Sequence, residues 1–371
     1  MRRLERIFGF LVFLTAAVLV AGAPLGAAAA ERVVNVYNWA DYIAPRTLEQ
    51  FKAETGIRVV YDVYDSNEVL ETKLAAGNSG YDVVFPSFKP YAERMIMAGM
   101  LEPLDRAKLP NARNLDQGVL KRMAESDPGN RHVLPYMWGT TGIGYNAAKV
   151  KAALGSAAPV DSWRLLLDPA TAAKLAPCGI SFLDDDEALA AMLIYLGRDA
   201  NSAKPADLDA AVAAFRKIRP HVKYFHSSKY IEALANGDLC AAHGYSGDMV
   251  QARNRAKEAK NGNVIAYAIP KEGAVIWVDT MAVPKGAPHP AEAHAFIDFL
   301  MRPQVIAEIS NTVAYANANA AATPLVSAEV RDDPSVYPSD AVKARLVTLI
   351  PLAEKDRRLR TRALTRITTG Q

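Results

Sequence analysis

The chain has 371 residues, with 43 Lys and Arg against 40 Asp and Glu, a formal charge of +3, and half of its residues hydrophobic. The near-balance excludes a broad basic field for nucleic acid or anionic membrane, and the length exceeds what one core usually holds, so two domains are expected. Two cysteines, Cys178 and Cys240, are too few for a zinc cage and form no C-x-x-C, so no metal or cofactor is expected.

Residues 1–30 carry the marks of a secretory signal peptide. Arg2, Arg3 and Arg6 form a positive start, the run 7–20 is apolar apart from Gly9 and Thr15, and Ala28-Ala29-Ala30 fits a small-residue cleavage site. The apolar run is too short for a membrane span. Cleavage removes three Arg and Glu5 and lowers the formal charge from +3 to +1. An exported chain meets an oxidising compartment, where Cys178 and Cys240 are a candidate disulfide; the alternative is two unrelated buried thiols.

The mature chain opens with a β-rich run over 33–39. Pro45 suits a helical first turn and Gly56 closes that helix. Residues 57–64 alternate and are rich in Val and Tyr, which predicts a second strand. A helix follows from Ser66-Asn67 to Gly77, then a short strand over 81–86 and a helix over 91–98 closed by Gly99. Strand–helix alternation at this spacing argues for parallel βαβ units. After an irregular stretch, 133–146 reads as an extended, glycine-broken strand. A second α/β block predicts helices over 169–175, 187–196, 207–218 and 227–236 and a strand over 239–244. Residues 277–283 read as strand, and 290–300 and 303–311 as helices. The last 55 residues are polar and Arg-rich, broken by Pro324, Pro334 and Pro338. With no low-complexity linker, two lobes joined by extended segments are expected, a plan that lets a cleft close about a hinge.

Four times an aromatic residue stands within three positions of an aspartate: Trp39-Ala40-Asp41-Tyr42, Tyr81-Asp82, Tyr245-Ser246-Gly247-Asp248 and Trp277-Val278-Asp279. A carboxylate and a ring face are the groups that suit an organic ammonium ion, one through a charge-assisted hydrogen bond, the other through cation–π attraction. Trp277 and Asp279, two apart on a strand, share a face. Tyr245 and Asp248 read as part of a Gly-containing loop free to turn both inward. Tyr81 and Asp82 point to opposite faces, which leaves Asp82 to hold a neighbouring turn. Asp184-Asp185-Asp186-Glu187 follows a strand-like run. Its acids either answer the helix dipole or place Asp184 or Glu187 at a cleft, since ligands bind beyond strand ends in open α/β sheets.

The enzyme motifs fail in their context. Gly142-Ile143-Gly144-Tyr145-Asn146-Ala147 matches G-x-G-x-x-A without the acid that should follow downstream. The run from His243 to Asp248 puts its second Gly one place early for G-x-S-x-G. The six histidines show no ligand spacing.

Longer strings carry a resemblance. YNWADYI, TGIRVVYDVYDSNEVLETKLAAG, YDVVFPS, PYMWGTTGIGYN, LANGDLC, NRAKEAKNG and YANANAAATPLVSAEVR together resemble the periplasmic polyamine-binding proteins, above all the putrescine-binding component of an ABC importer, over nearly the whole mature chain. The resemblance implies an α/β, two-lobed periplasmic binding protein fold of type II, with lobes joined by β-strand crossovers. It implies signal peptide 1–30, lobe 1 as 31–139 plus 279–312, and lobe 2 as 140–278 plus 313–371. Carried over by motif, the ligand-binding set is Trp39, Asp41, Tyr42, Ser87, Asp184, Glu187, Tyr245, Asp248, Trp277, Asp279 and Tyr315. Cys178 and Cys240 match the family's cysteine pair.

Three departures bear on the ligand. Ala40 stands where a hydroxyl residue is common, Tyr245 replaces a usual Trp, and Phe88-Lys89-Pro90 sets a cation near the rim. They pull in different directions between putrescine and spermidine. The expected role is capture of a polyamine in the periplasm by a monomer and delivery to a membrane permease, with no chemistry and no nucleic acid. Two alternatives stand beside it: a polyamine sensor docking on a receptor, and an exported amine or amide hydrolase using Ser246.

Overall fold

The computed structural model describes residues 31–370; the predicted signal peptide lies outside the described residues. Eleven strands form one continuous sheet: Val33–Trp39 (β1), Arg58–Tyr64 (β2), Val83–Val84 (β3), Val133–Asn146 (β4), Ile180–Phe182 (β5), Val222–Phe225 (β6), Ala241–Tyr245 (β7), Ile265–Ala268 (β8), Ala274–Ala282 (β9), Ala316–Asn317 (β10) and Leu346–Val347 (β11). The order β2-β1-β3-β9-β4-β7-β5-β6 contains two parallel sets. β1 pairs β2 and β3 in parallel, and β5 pairs β6 and β7 in parallel. Between the sets run β4 and β9, antiparallel to each other. β9 reaches β3 at Ala282 and β11 at Ala274, while the C-terminal half of β4 pairs β7 and β8. Two long strands shared by both halves are the crossovers of the expected two-lobed plan.

Local chemistry accounts for the βαβ units. Helix Pro45–Thr55 begins with proline at its first position, and the amide of Gly56, at φ 69°, bonds to the Lys52 carbonyl to close it. Helix Asn67–Ala75 is capped by Ser66, whose side chain accepts from the Val69 amide. Phe51 packs edge-on against Phe296 and Phe299, with centroids 5.1 and 5.3 Å apart, which seats helices on the first parallel set. In the second set Phe182 meets Phe215 at 5.3 Å. The candidate disulfide forms: Cys178 and Cys240 have Cα atoms 5.4 Å apart, within the usual range. Beside it the Cys240 amide bonds to the Gly179 carbonyl, joining the starts of β5 and β7.

Two predicted elements change. Asp248 is not in a loop: it lies in the first turn of helix Ser246–Glu258, which begins as β7 ends. The Arg-rich tail contains the helix Glu354–Thr369, packed against helices Asp186–Tyr195 and Pro205–Ile218. The polar tail hides its amphipathic stripe because a buried arginine, Arg360, occupies a core position.

Candidate functional site

A β-bulge interrupts the pairing of the two crossover strands. Register between β4 and β9 shifts between Pro135 and Trp138, so Tyr136 and Met137 together stand opposite the single residue Asp279. A bulge re-aims side chains and breaks regular pairing, and bulges collect beside functional sites. Here the residue opposite the bulge, Asp279, lines a cavity.

Aromatic rings wall the cavity in an unbroken row. Tyr42 meets Tyr315 edge-on at 5.1 Å, Tyr315 meets Trp277 at 5.5 Å, and Trp277 meets Tyr245 edge-on at 5.8 Å. Trp39 tilts on Tyr64 at 4.7 Å, and both rings hang from the Phe85 carbonyl, through bonds of 2.8 Å and 2.7 Å. Two glycines make room for the row. A Cβ at Gly247 would lie 2.4 Å from the Tyr315 ring, and one at Gly139 would lie 2.8 Å from the Trp277 ring.

Five acids line the same space: Asp65, Asp185, Glu187, Asp248 and Asp279. Asp279, 4% exposed, accepts from Tyr42 Oη at 2.8 Å and from Ser87 Oγ at 2.6 Å. Ser87 is held in turn by Asn67, whose Nδ2 donates to Ser87 Oγ and whose Oδ1 accepts from the Ser87 amide, both at 3.0 Å. Asp248 accepts from Tyr230 Oη and Tyr315 Oη, each at 2.6 Å. Asp185 accepts from Tyr245 Oη at 2.6 Å and caps its own helix through the Glu187 amide at 3.0 Å. One oxygen of Glu187, Oε2, is buried without a hydrogen-bond partner. Four of the five thus sit at the two ends of the ring row: Asp279 and Asp248 at the Tyr42–Tyr315 end, bonded to Tyr42 and Tyr315, and Asp185, bonded to Tyr245, with Glu187 at the other.

Burial makes ionisation of these acids costly. It pushes the Asp279 carboxyl up to about 7, against the opposing hydrogen bonds from Ser87 and Tyr42. It pushes Asp248 up to about 6, with Tyr230 and Tyr315 opposing. Asp185 and Glu187 are also raised, by burial first and then by like charge, from Glu68 on Asp185 and from Asp185 on Glu187. Among the described lining residues Lys89 is the one cation, and Glu93 pairs with it at 3.7 Å. A guest carrying two positive charges on an apolar chain would satisfy both acid pairs and both faces of the wall. No group of His, Cys, Asp and Glu among the described residues could hold a metal ion.

The profile of one family, described as bacterial extracellular solute-binding protein, matches residues 47–338. The chain belongs to the bacterial extracellular solute-binding proteins. This solute-binding protein is 54% identical over 362 residues to the putrescine-binding periplasmic protein SpuD of Pseudomonas aeruginosa, covering 97% of this chain and 98% of that one. It is 53% identical over 360 residues to the putrescine-binding periplasmic protein PotF of Escherichia coli, covering 95% and 97%. Among solved structures it is similar to the spermidine/putrescine ABC transporter substrate-binding protein PotD from Streptococcus pneumoniae. The TM-score is 0.71 at 28% identity, over 91% of this chain and 99% of that one.

Of the site residues expected from this solute-binding protein's sequence, Trp39, Tyr42, Ser87, Glu187, Tyr245, Asp248, Trp277, Asp279 and Tyr315 line the cavity. Asp41 and Asp184 do not. Asp41 takes a positive φ of 53°, which turns its carboxylate to Arg255 Nη2 at 3.1 Å, outside the cavity. Asp184 is exposed and accepts from Ser227 Oγ. Its neighbour Asp185 faces the cavity instead: as the helix cap it sits two residues before Glu187 and beside it in space. That cap position was the available signal within the acidic run. Tyr64, Asn67 and Tyr230 had none, since they reach the site through contacts 15 to 21 residues away in sequence or more. Ser246, the nucleophile of the hydrolase alternative, only accepts from the Thr140 amide at 3.3 Å. His243 is locked between Trp163 and Phe182 with its Nδ1 unpartnered, and burial pushes its pKa down to about 3.

Proposed function

We infer that this chain is a periplasmic solute-binding protein that captures putrescine in the aromatic, acid-lined cavity and delivers it to the membrane permease of an ABC importer. The observation that carries the reading is the pairing of five lining acids with one already neutralised lysine inside a row of rings. Identity of 53–54% to two putrescine-binding periplasmic proteins over nearly full length supports it. In this reading Asp279 and Asp248 take one ammonium, Asp185 and Glu187 take the other, and Trp39, Tyr42, Tyr245, Trp277 and Tyr315 box the methylenes. An isolated ammonium in a dry cleft is very costly, so each must meet a carboxylate on closure. The lobes divide where β4 and β9 cross, at 139/140 and 278/279, and closing them seals the cavity. The protein acts as a monomer, binds no nucleic acid and carries out no chemistry.

Calorimetric titration of the ligand-stripped mature protein with putrescine, spermidine, cadaverine and agmatine, with glutamate as control, tests this reading. One-to-one binding strongest for putrescine is expected. Heat from glutamate alone, or from no amine, would overturn it.

A further inference from the structure

The cavity acids Asp185 and Glu187 flank a residue that never faces the cavity. Asp186, the first residue of helix Asp186–Tyr195, points away and meets Arg360 on the last helix of the chain. Arg360 is 2% exposed. Its Nε lies 3.0 Å from both oxygens of Asp186 and its Nη2 lies 2.8 Å from Oδ2. Its Nη1 donates to the carbonyls of Ala200 and Ser202, each at 2.8 Å. One side chain therefore pins the start of this helix to the loop that follows it, using donors in a rigid planar fork that lysine cannot reproduce.

We propose that Arg360 is a positioning residue for ligand capture, which clamps and neutralises Asp186 so that Asp185 and Glu187 are aimed into the cavity with their charge available. The inference rests on the polyamine-binding reading above. Its logic is local. Three consecutive acids at a helix start repel one another, and two of them must stay ionised to hold an ammonium. A buried Arg on the middle one cancels a charge that would otherwise act on both neighbours. Asp186 is partly buried, so its charge is only partly screened. Apart from the Thr141 hydroxyl, which hydrogen-bonds to Glu187, the groups facing Asp185 and Glu187 are acidic or phenolic: Asp184, Asp186, Glu68, Asp279, Tyr245, Tyr91 and Tyr267. None of them could take over the neutralisation that Arg360 supplies.

The test is putrescine titration between pH 5.5 and 8.5 on the full mature chain, with thermal unfolding recorded for every variant. Arg360→Met is expected to weaken binding at least tenfold at pH 7.5 and to move the pH of half-maximal affinity upward, because Asp186 then opposes ionisation of its neighbours. Adding Asp186→Asn in the same chain is expected to return that pH toward the wild-type value. Arg360→Lys keeps the charge and loses the fork: weaker binding with an unmoved pH profile is expected, and this variant stands in if Arg360→Met does not fold. Wild-type affinity in Arg360→Met or Arg360→Lys would overturn the proposal, as would a double variant with the same pH profile as Arg360→Met. Failure of the wild-type protein itself to bind any amine would instead overturn the functional reading on which the proposal rests.

Discussion

Replacing Asp279 by Asn separates the two things that the carboxylate does. It is buried on β9, opposite the bulge, and held by Tyr42 and Ser87. Asn keeps the shape but removes the charge. An ammonium that loses a charge-assisted bond in a buried site forfeits about 2–3 kcal/mol, roughly a 30- to 150-fold loss of putrescine affinity. The ligand-free protein should respond in the opposite direction. Burial holds the Asp279 pKa near 7, above the ordinary carboxylate value of 3.8, so its ionisation opposes folding. A carboxyl with a raised folded pKa contributes stability that is complete below about 4 and lost as pH rises through 7. The Asn variant escapes that loss, so at pH 7.5 it should unfold at a higher temperature than the ligand-free wild type. Calorimetric titration and scanning calorimetry on one preparation give both numbers. Affinity within threefold of wild type, or a lowered unfolding temperature without ligand, would refute the reasoning.

Other outcomes follow from the same geometry. Putrescine affinity should fall as pH drops from 8 to 5.5, because Asp279 near 7 and Asp248 near 6 must be ionised to hold the amine. Titrations at pH 6.5 in buffers of different ionisation enthalpy should accordingly show proton release on binding. Gly247→Ala places a methyl 2.4 Å from the Tyr315 ring, which must move and loosen its bond to Asp248; at least tenfold weaker binding is expected by calorimetry. Asp41→Asn removes only a half-exposed ion pair with Arg255, of about 1 kcal/mol or less, so its affinity should drop less than about fivefold. Reducing the Cys178–Cys240 bridge opens a loop of 62 residues and should cost about 4 kcal/mol in chemical unfolding, with putrescine affinity kept within twofold.

Much of this molecule is legible without its tertiary structure, because local signals have local causes. Pro45 and Gly56 delimit a helix, the run 133–146 coincides with β4, and the spacing of Trp277 and Asp279 puts both on one face of β9, where both line the cavity. Three of the four aromatic–aspartate runs supply rings or carboxylates to the cavity, the combination that suits an ammonium ion. What the runs could not decide is orientation. Asp41 sits in the same short run as Trp39 and Tyr42, yet one positive φ turns it to Arg255 outside the cavity. Asp184 and Asp185 are adjacent acids, and only the helix start decides that the second faces inward. Tyr230, Tyr64 and Asn67 enter the site because the sheet brings distant segments together. Arg360 reads as one charge in a polar tail until packing buries it against Asp186. Composition and short-range periodicity select the residue types and the elements. Which carboxylate meets a ligand and which meets an arginine depends on a few backbone angles and on burial, and those are fixed only when the chain closes on itself.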